Sequence, residues 1–212
     1  MTCLTAPAAE RNKRPITDAL TPYLTTRNGD VLEVGAGTGQ HAVALATAFP
    51  DLNFWPTDPD PRQRKSIDCW RAEHALQNLN PAQALDLLSP DWGLGSNGMA
   101  PATGLTAIVC VNVVHITPFA VAEALFARTS DLLRPDGLLY LYGPFKRHGE
   151  HTAASNAQFD SQLRAQNPDW GVRDLDDLEK IAKAGGLALG RIKEMPANNL
   201  SLFFEPLLGR AH

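Results

Sequence analysis

The segment Glu33-Val34-Gly35-Ala36-Gly37-Thr38-Gly39-Gln40-His41 sets an acid two residues ahead of three alternating glycines. Glycine in a strand-to-helix turn lets the backbone bend sharply and lets a ligand approach the main chain. The first-turn N–H groups of the following helix point at the same ligand. A dinucleotide-binding fingerprint needs its third glycine three residues after the second, at position 40. Gln40 stands there, which speaks against a nicotinamide-dependent oxidoreductase. An acid ahead of the loop repels a pyrophosphate but attracts an ammonium or a sulfonium. S-adenosylmethionine (SAM) carries both cations. Asp58, 23 residues after Gly35, is placed to accept hydrogen bonds from both ribose hydroxyls. Asp86, with Leu87 beside it, is placed to receive the adenine amine. The expected cofactor set is Glu33, Gly35, Ala36, Gly37, Thr38, Gly39, His41, Asp58, Asp86, Leu87, Asn112 and Val113, with S-adenosylhomocysteine as the product bound there.

Methyl transfer from a sulfonium is an in-line displacement, so alignment and desolvation carry much of the rate. A base helps where the acceptor must lose a proton. His115, in Asn112-Val113-Val114-His115, is the candidate base, and Tyr142 is the second candidate catalytic group. Phe145 offers a ring to a planar or cationic acceptor. Asn156, Asp160 and Arg164 recur every four residues, so one helical face presents amide, acid and base, with Phe159 and Leu163 as anchors. Asn198 and Asn199 suit a turn first and are also candidate substrate-binding residues, and Asn12 is expected to fold over the site. His148 and His151 have loose metal-ligand spacing but no third ligand nearby, and no metal is expected.

These residues need a scaffold of alternating strands and helices. Val31–Val34, Leu52–Trp55, Ala84–Leu88, the almost continuously apolar Thr106–Val114, and Leu138–Tyr142 read as strands. Gln40–Phe49, Arg62–Asn78, Phe119–Leu133 and a helix capped by Asp174 and ended at Ala184 read as helices. Pro135-Asp136-Gly137 reads as a turn. Leu187–Glu194 and Leu200–Glu205 then follow with only Met195–Asn199 between them, so a mostly parallel α/β sheet ends in an antiparallel hairpin. The stretch 146–173 is too long for a tight connection and is expected to form a helical cap. No repeat or linker divides the chain, and a single domain over 1–212 is the expectation.

Composition limits the partners. Hydrophobic residues are 44% and charged residues 20% of 212, which suits one folded core and not disorder. The 19 Lys and Arg against 23 Asp and Glu give a charge of −4, whereas nucleic-acid-gripping chains are usually basic. Cys3, Cys69 and Cys110 are far apart with no CxxC, which argues against a disulfide framework or structural zinc and for a reducing, cytoplasmic setting. No apolar run reaches membrane-spanning length, and MTCLTAPAAERNKR lacks a signal-peptide pattern. The expected partner is a small molecule, with neither nucleic acid nor membrane, and the chain is expected to act as a monomer or homodimer.

VLEVGAGTGQHA, Asp58 and the terminal hairpin resemble the class I SAM-dependent methyltransferases. More narrowly, the sequence resembles the family called domain of unknown function 938, which includes a human methyltransferase-like protein. The resemblance runs through AERNKRPI (9–16), LEVGAGTGQHA (32–42), WPTDPD (55–60), NVVHITP (112–118), YLYGPF (140–145), SNAQFDSQLRAQNPDWGVRDL (155–175) and MPANNLSLFF (195–204). It implies a Rossmann-like seven-stranded sheet of order 3-2-1-4-5-7-6 with strand 7 antiparallel, and it implies SAM binding. Amino-methylating nucleic-acid enzymes of this fold usually carry [N/D]PP[Y/F] after the fourth strand, where this chain has NVVH. The expectation is methyl transfer to O, N or S of a small polar molecule, with a non-catalytic SAM-binding regulatory or interaction protein and an NAD(P)-dependent oxidoreductase as the alternatives.

Overall fold

A computed structural model describes residues 2–96 and 98–207. In chain order the elements are α1 (Pro7–Leu24), β1 (Gly29–Val34), α2 (Gln40–Ala48), β2 (Leu52–Thr57), α3 (Pro61–His74), β3 (Leu105–Val111), α4 (Phe119–Leu132) and β4 (Leu133–Gly143). There follow β5 (Phe145–Arg147), β6 (Glu150–His151), α5 (Ala154–Gln166), β7 (Arg173–Asp174), α6 (Leu175–Ala184), β8 (Leu187–Met195) and β9 (Asn199–Pro206). The main sheet has the order β2-β1-β3-β4-β9-β8. Its first four strands are parallel, and β9 runs antiparallel to both β4 and β8.

Strand alternation explains the two cores. Leu32, Val34, Ile108, Cys110, Leu139 and Leu141 face α4 and α6, meeting Ala122, Leu125, Phe126, Leu178 and Ala182. Their neighbours Val31, Ala107, Val109, Leu138 and Tyr140 face α1 and α2, meeting Ile16, Leu20, Leu24, Leu45 and Phe49. Side chains two apart share a face, so a strand covered on both sides must be apolar throughout, as β3 is. The carboxyl ends of β1 to β4 therefore open at one edge, with helices on both flanks.

The expected strand Ala84–Leu88 is absent. The chain beside β2 touches it only at isolated bridges, Phe54 with Leu79 and Thr57 with Gln83. Pro56 and Pro81 have no N–H to give to such a ladder. The pairing also slips by one residue between the two bridges. The main sheet thus has six strands, with a loosely attached edge where a seventh was expected. The turn expected at Pro135-Asp136-Gly137 lies inside β4, where the β3–β4 register shifts between Leu105 and Ala107.

Helix α1 carries Pro15 and Pro22 inside it. Its inward stripe of Ala9, Asn12, Ile16, Ala19, Leu20 and Leu24 is buried, and that packing outweighs the loss of two backbone donors. The cysteines also depart from expectation, because Cys3 is disulfide-bonded to Cys69. They are 66 residues apart in sequence, yet residues 3–6 lie along α3. Leu4 N donates to Ser66 Oγ at 2.8 Å and Trp70 Nε1 donates to Leu4 O at 2.9 Å. The reducing setting inferred from cysteine spacing therefore loses its basis. Among the described residues no helix is long and apolar enough to cross a membrane. Cys110 is a buried free thiol in β3.

The stretch 146–173 does contain a helix, α5. It is framed by a small sheet of order β6-β5-β7.

Candidate active site

The glycine loop leaves β1 and enters α2. Ala36 N donates to Thr57 O at 2.8 Å, and Thr57 Oγ1 donates to Glu33 O at 2.8 Å, so β2 fixes the loop from below. A Cβ on Gly35 would stand 2.5 Å from Val113 Cγ2, which requires glycine there. Gly37, at φ +55°, has nothing within 4 Å of the same point. Its open side is where a ligand can approach the backbone. Val113 thus meets the loop directly, beneath Gly35.

Two acids stand at this edge. Glu33 is 2% exposed, and its Oε2 has no hydrogen-bond partner among the described residues. Burial, and then the charge of Asp58, raises its pKa to about 8. Asp58 is also buried. Its Oδ2 accepts from Gly37 N and its Oδ1 from Asp60 N, both at 2.9 Å. Each Asp58 oxygen keeps a lone pair for a further donor.

Gln40, the residue that breaks the dinucleotide fingerprint, is a hook. Its Oε1 accepts from Ala6 N at 2.6 Å and from Thr38 Oγ1 at 3.0 Å, and its Nε2 donates to Glu10 Oε2 at 2.8 Å. Ser66 Oγ meanwhile donates to Thr38 O at 2.8 Å. The N-terminal segment and α1 are in this way fastened to the loop. His41 Nε2 donates to Asn12 Oδ1 at 2.7 Å, and burial followed by the charge of Lys13 lowers the His41 pKa to about 4.

Asp86 lies in an exposed turn outside any strand, where its Oδ1 accepts from Leu88 N at 2.9 Å. The Leu87 side chain is buried in the core cluster that includes Trp92. Gln83 is the residue adjoining Asp58, since Asp58 N donates to Gln83 O at 3.0 Å.

Beside the loop, a cavity of about 560 Å³ has four walls. Ala8, Arg11 and Asn12 come from α1, and Asn112, Tyr142 and Pro144 from the ends of β3 and β4. Ser155, Asn156 and Phe159 come from α5, and Pro196, Ala197 and Asn199 from the hairpin turn. Asn156 Nδ2 donates to Asn198 O at 2.9 Å and Asn198 Nδ2 to Ser155 Oγ at 3.1 Å, so Asn198 clasps α5 to the hairpin. Burial raises the Tyr142 pKa, and Asn12, Asn199 and the charge of Arg11 offset this in part.

Four expected site residues lie elsewhere. His115 is fully buried behind Gly143, where a Cβ would fall 2.7 Å from His115 Cδ2. Neither ring nitrogen has a hydrogen-bond partner among the described residues. Burial, and then the nearby positive charge of Arg173, lowers its pKa to about 3. A base must reach its proton, and this ring is sealed from the cavity. Phe145 is core, edge-on to His115 with ring centroids 4.8 Å apart.

Asp160 is a structural hub. Its Oδ1 accepts from Val172 N at 2.8 Å and Arg164 Nε at 3.2 Å, while Oδ2 pairs with Lys146 at 3.1 Å and His151 at 3.2 Å. Burial pushes its pKa up, but the Val172 N–H and the Lys146 ammonium together hold it below the ordinary carboxylate value. Arg164 lines a separate cleft with Lys146, Phe119 and Arg173. Of the expected helical stripe, only Asn156 reaches the main cavity. Phe159, expected as an anchor, is 37% exposed and forms part of the wall.

An open parallel sheet with its site at the carboxyl ends of β1 to β4 is the fold of known methyltransferases. An O-methyltransferase family protein from Burkholderia thailandensis matches with a TM-score of 0.76 and 15% identity, covering 96% of this chain and 59% of that one. The mitomycin 7-O-methyltransferase MmcR gives 0.74 and 16%, covering 92% and 54%. TnmH gives 0.73 and 22%, covering 94% and 56%. The chain thus spans little more than half the length of these proteins. Residues 4–206 match the model of the family described as protein of unknown function (DUF938), and the chain belongs to that family.

Proposed function

We propose that the protein binds SAM across the carboxyl ends of β1 and β2 and transfers its methyl group to a small molecule held in the adjoining cavity. The observation that carries this reading is the Glu33 carboxyl, buried with an unpartnered oxygen and kept near pKa 8. An orphaned buried acid is costly unless a donor or a cation meets it. The residues present fit a cationic adenosyl ligand. Glu33 would face its cationic part, Asp58 would accept from the ribose hydroxyls, and the open side of Gly37 would admit it against the loop.

When bound, SAM supplies an electrophilic methyl on a sulfonium. The chain's own residues do the rest. Asn112 and Tyr142 line the cavity, Asn112 next to the Val113 that meets the loop, and would orient what lies there. Helix α1, hooked by Gln40 beside the loop, would shield the bound ligand from water. The open cavity beside the loop favours an enzyme over a purely regulatory SAM-binding protein, in which that cleft would need no space.

Calorimetric titration with SAM and S-adenosylhomocysteine, with NADH as control, tests the proposal. Micromolar binding of both adenosyl compounds and none of NADH is expected. Binding of NADH alone would overturn it.

A further inference from the structure

We propose that the methyl acceptor is an anion with an apolar body, methylated on the ionised group itself, and that Arg11 selects it. The inference rests on the SAM-dependent reading above and deepens it to a substrate class.

The first ground is charge. Helix α1 carries three cations near the site, and two have acids: Lys13 with Glu10 at 2.7 Å and Arg14 with Asp18 at 4.0 Å. Arg11 has no ion pair among the described residues, and its charge acts on the Tyr142 hydroxyl across the cavity. No carboxylate lines the cavity to oppose it, and the other polar side chains there are amides and hydroxyls. An unopposed guanidinium at the mouth of such a cavity favours carboxylate-like partners, to which it can donate two parallel hydrogen bonds.

The second ground is the missing base. Tyr142 is a phenol whose pKa lies above its ordinary value, so near neutral pH it donates and does not accept a proton. His41 is tied to Asn12, and His115 is sealed behind Gly143. Apart from Arg11, which stays protonated, no other ionisable side chain lines the cavity. An alcohol or an ammonium, which must shed a proton to react, finds no group there to take it. A carboxylate or thiolate needs none. Its lone pair forms the bond to the methyl carbon, the carbon–sulfur bond breaks with its electrons returning to sulfur, and no proton moves. The negative charge of the acceptor and the positive charge of the sulfonium cancel, so a neutral ester or thioether leaves Arg11 without an ionic partner.

The third ground is shape. Phe159, Pro144, Pro196 and Ala197 add apolar surface among the amides of the cavity walls, which suits an aryl or alkyl body.

The test uses the wild-type protein and Arg11→Gln, each saturated with S-adenosylhomocysteine. Calorimetry then compares phenylacetate, phenylacetamide and phenethylamine as probes. Phenylacetate is expected to bind at least tenfold more tightly than the amide, with phenethylamine weakest. Arg11→Gln should abolish the preference, and Arg11→Lys should restore part of it. Arg11 is exposed, so these variants are expected to melt at the wild-type temperature. In an assay with SAM, methyl ester from phenylacetate or thioether from thiophenol, with no ether from phenethyl alcohol, is expected. Equal affinity for amide and carboxylate, or a preference that survives Arg11→Gln, would overturn the inference. Failure of S-adenosylhomocysteine to bind would instead overturn the cofactor reading.

Discussion

Glu33, next to last in β1, and Asp58, the first residue after the adjacent parallel β2, lie at one sheet edge, and the negative charge of Asp58 adds to burial in holding the Glu33 carboxyl near pKa 8. The free protein thus keeps one proton at this edge that an approaching cation must displace. Asp58 contributes differently, because its oxygens already accept two backbone N–H groups of the loop and its flank.

This division of roles sets an order among Asp58 variants. Asp58→Ala removes both the proposed ribose acceptors and the tether of Gly37, and is expected to weaken SAM binding by roughly 1.5–3 kcal/mol. Asp58→Asn keeps one acceptor oxygen and should lose less. Equal affinity of Asp58→Ala and wild type in calorimetry would remove the ribose assignment.

The stability of the free protein should carry the mark of Glu33. Its folded pKa is raised from 4.5 to about 8, so the folded state holds a proton that the unfolded state has lost throughout that window. The contribution is full below pH 4.5 and is lost as pH rises toward 8, at a slope of about 1.4 kcal/mol per pH unit. His115 has the opposite sign, because its pKa falls from 6.5 to about 3 and its stabilising effect is lost as pH drops below 6.5. His41, whose pKa falls to about 4, acts in the same direction as His115, and both imidazoles are nearly neutral in either state above pH 7.5, so urea unfolding between pH 7.5 and 8 isolates the Glu33 effect. Glu33→Gln should flatten the slope, and an unchanged slope would contradict the assignment.

His115 is expected to be dispensable for chemistry. His115→Leu removes two unpartnered buried nitrogens and should leave stability unchanged or raise it by about 1–2 kcal/mol. Its kcat should stay within a few-fold of wild type. A thousandfold loss with the fold intact would restore a catalytic role.

The Cys3–Cys69 bond fastens the N-terminal segment to α3, beside the hooks from Ser66 and Gln40. Reduction, or Cys3→Ser, is expected to cost about 2–4 kcal/mol of stability. Thermal melts with and without reductant should therefore differ in wild type and coincide in Cys3→Ser.

Local signals were the legible ones. The loop Gly35–Gly39 and the acids Glu33 and Asp58 follow from short spacing beside a strand. The hairpin of β8 and β9 follows from two apolar runs with no helix between them. What the sequence hid depends on contacts distant along the chain. Pro15 and Pro22 mask α1, whose buried stripe holds it helical. Pro56 and Pro81 remove the donors that an edge strand near Asp86 would need. The stripe Asn156, Asp160 and Arg164 advances about 40° with each four-residue step. Arg164 therefore points well away from Asn156 and lines the other cleft. The burial of His115 is equally nonlocal, since Gly143 alone leaves room for its ring.

Proton release on SAM binding is the most direct test of the central claim. Calorimetric titrations at pH 6.5 in buffers of different ionisation enthalpy report how many protons leave as the ligand enters. Close to one proton should leave on binding SAM to wild type and none on binding to Glu33→Gln. SAM affinity of the wild type should rise with pH until about 8. SAM binding with no proton released, and no dependence on pH, would mean that the ligand's cation does not meet Glu33.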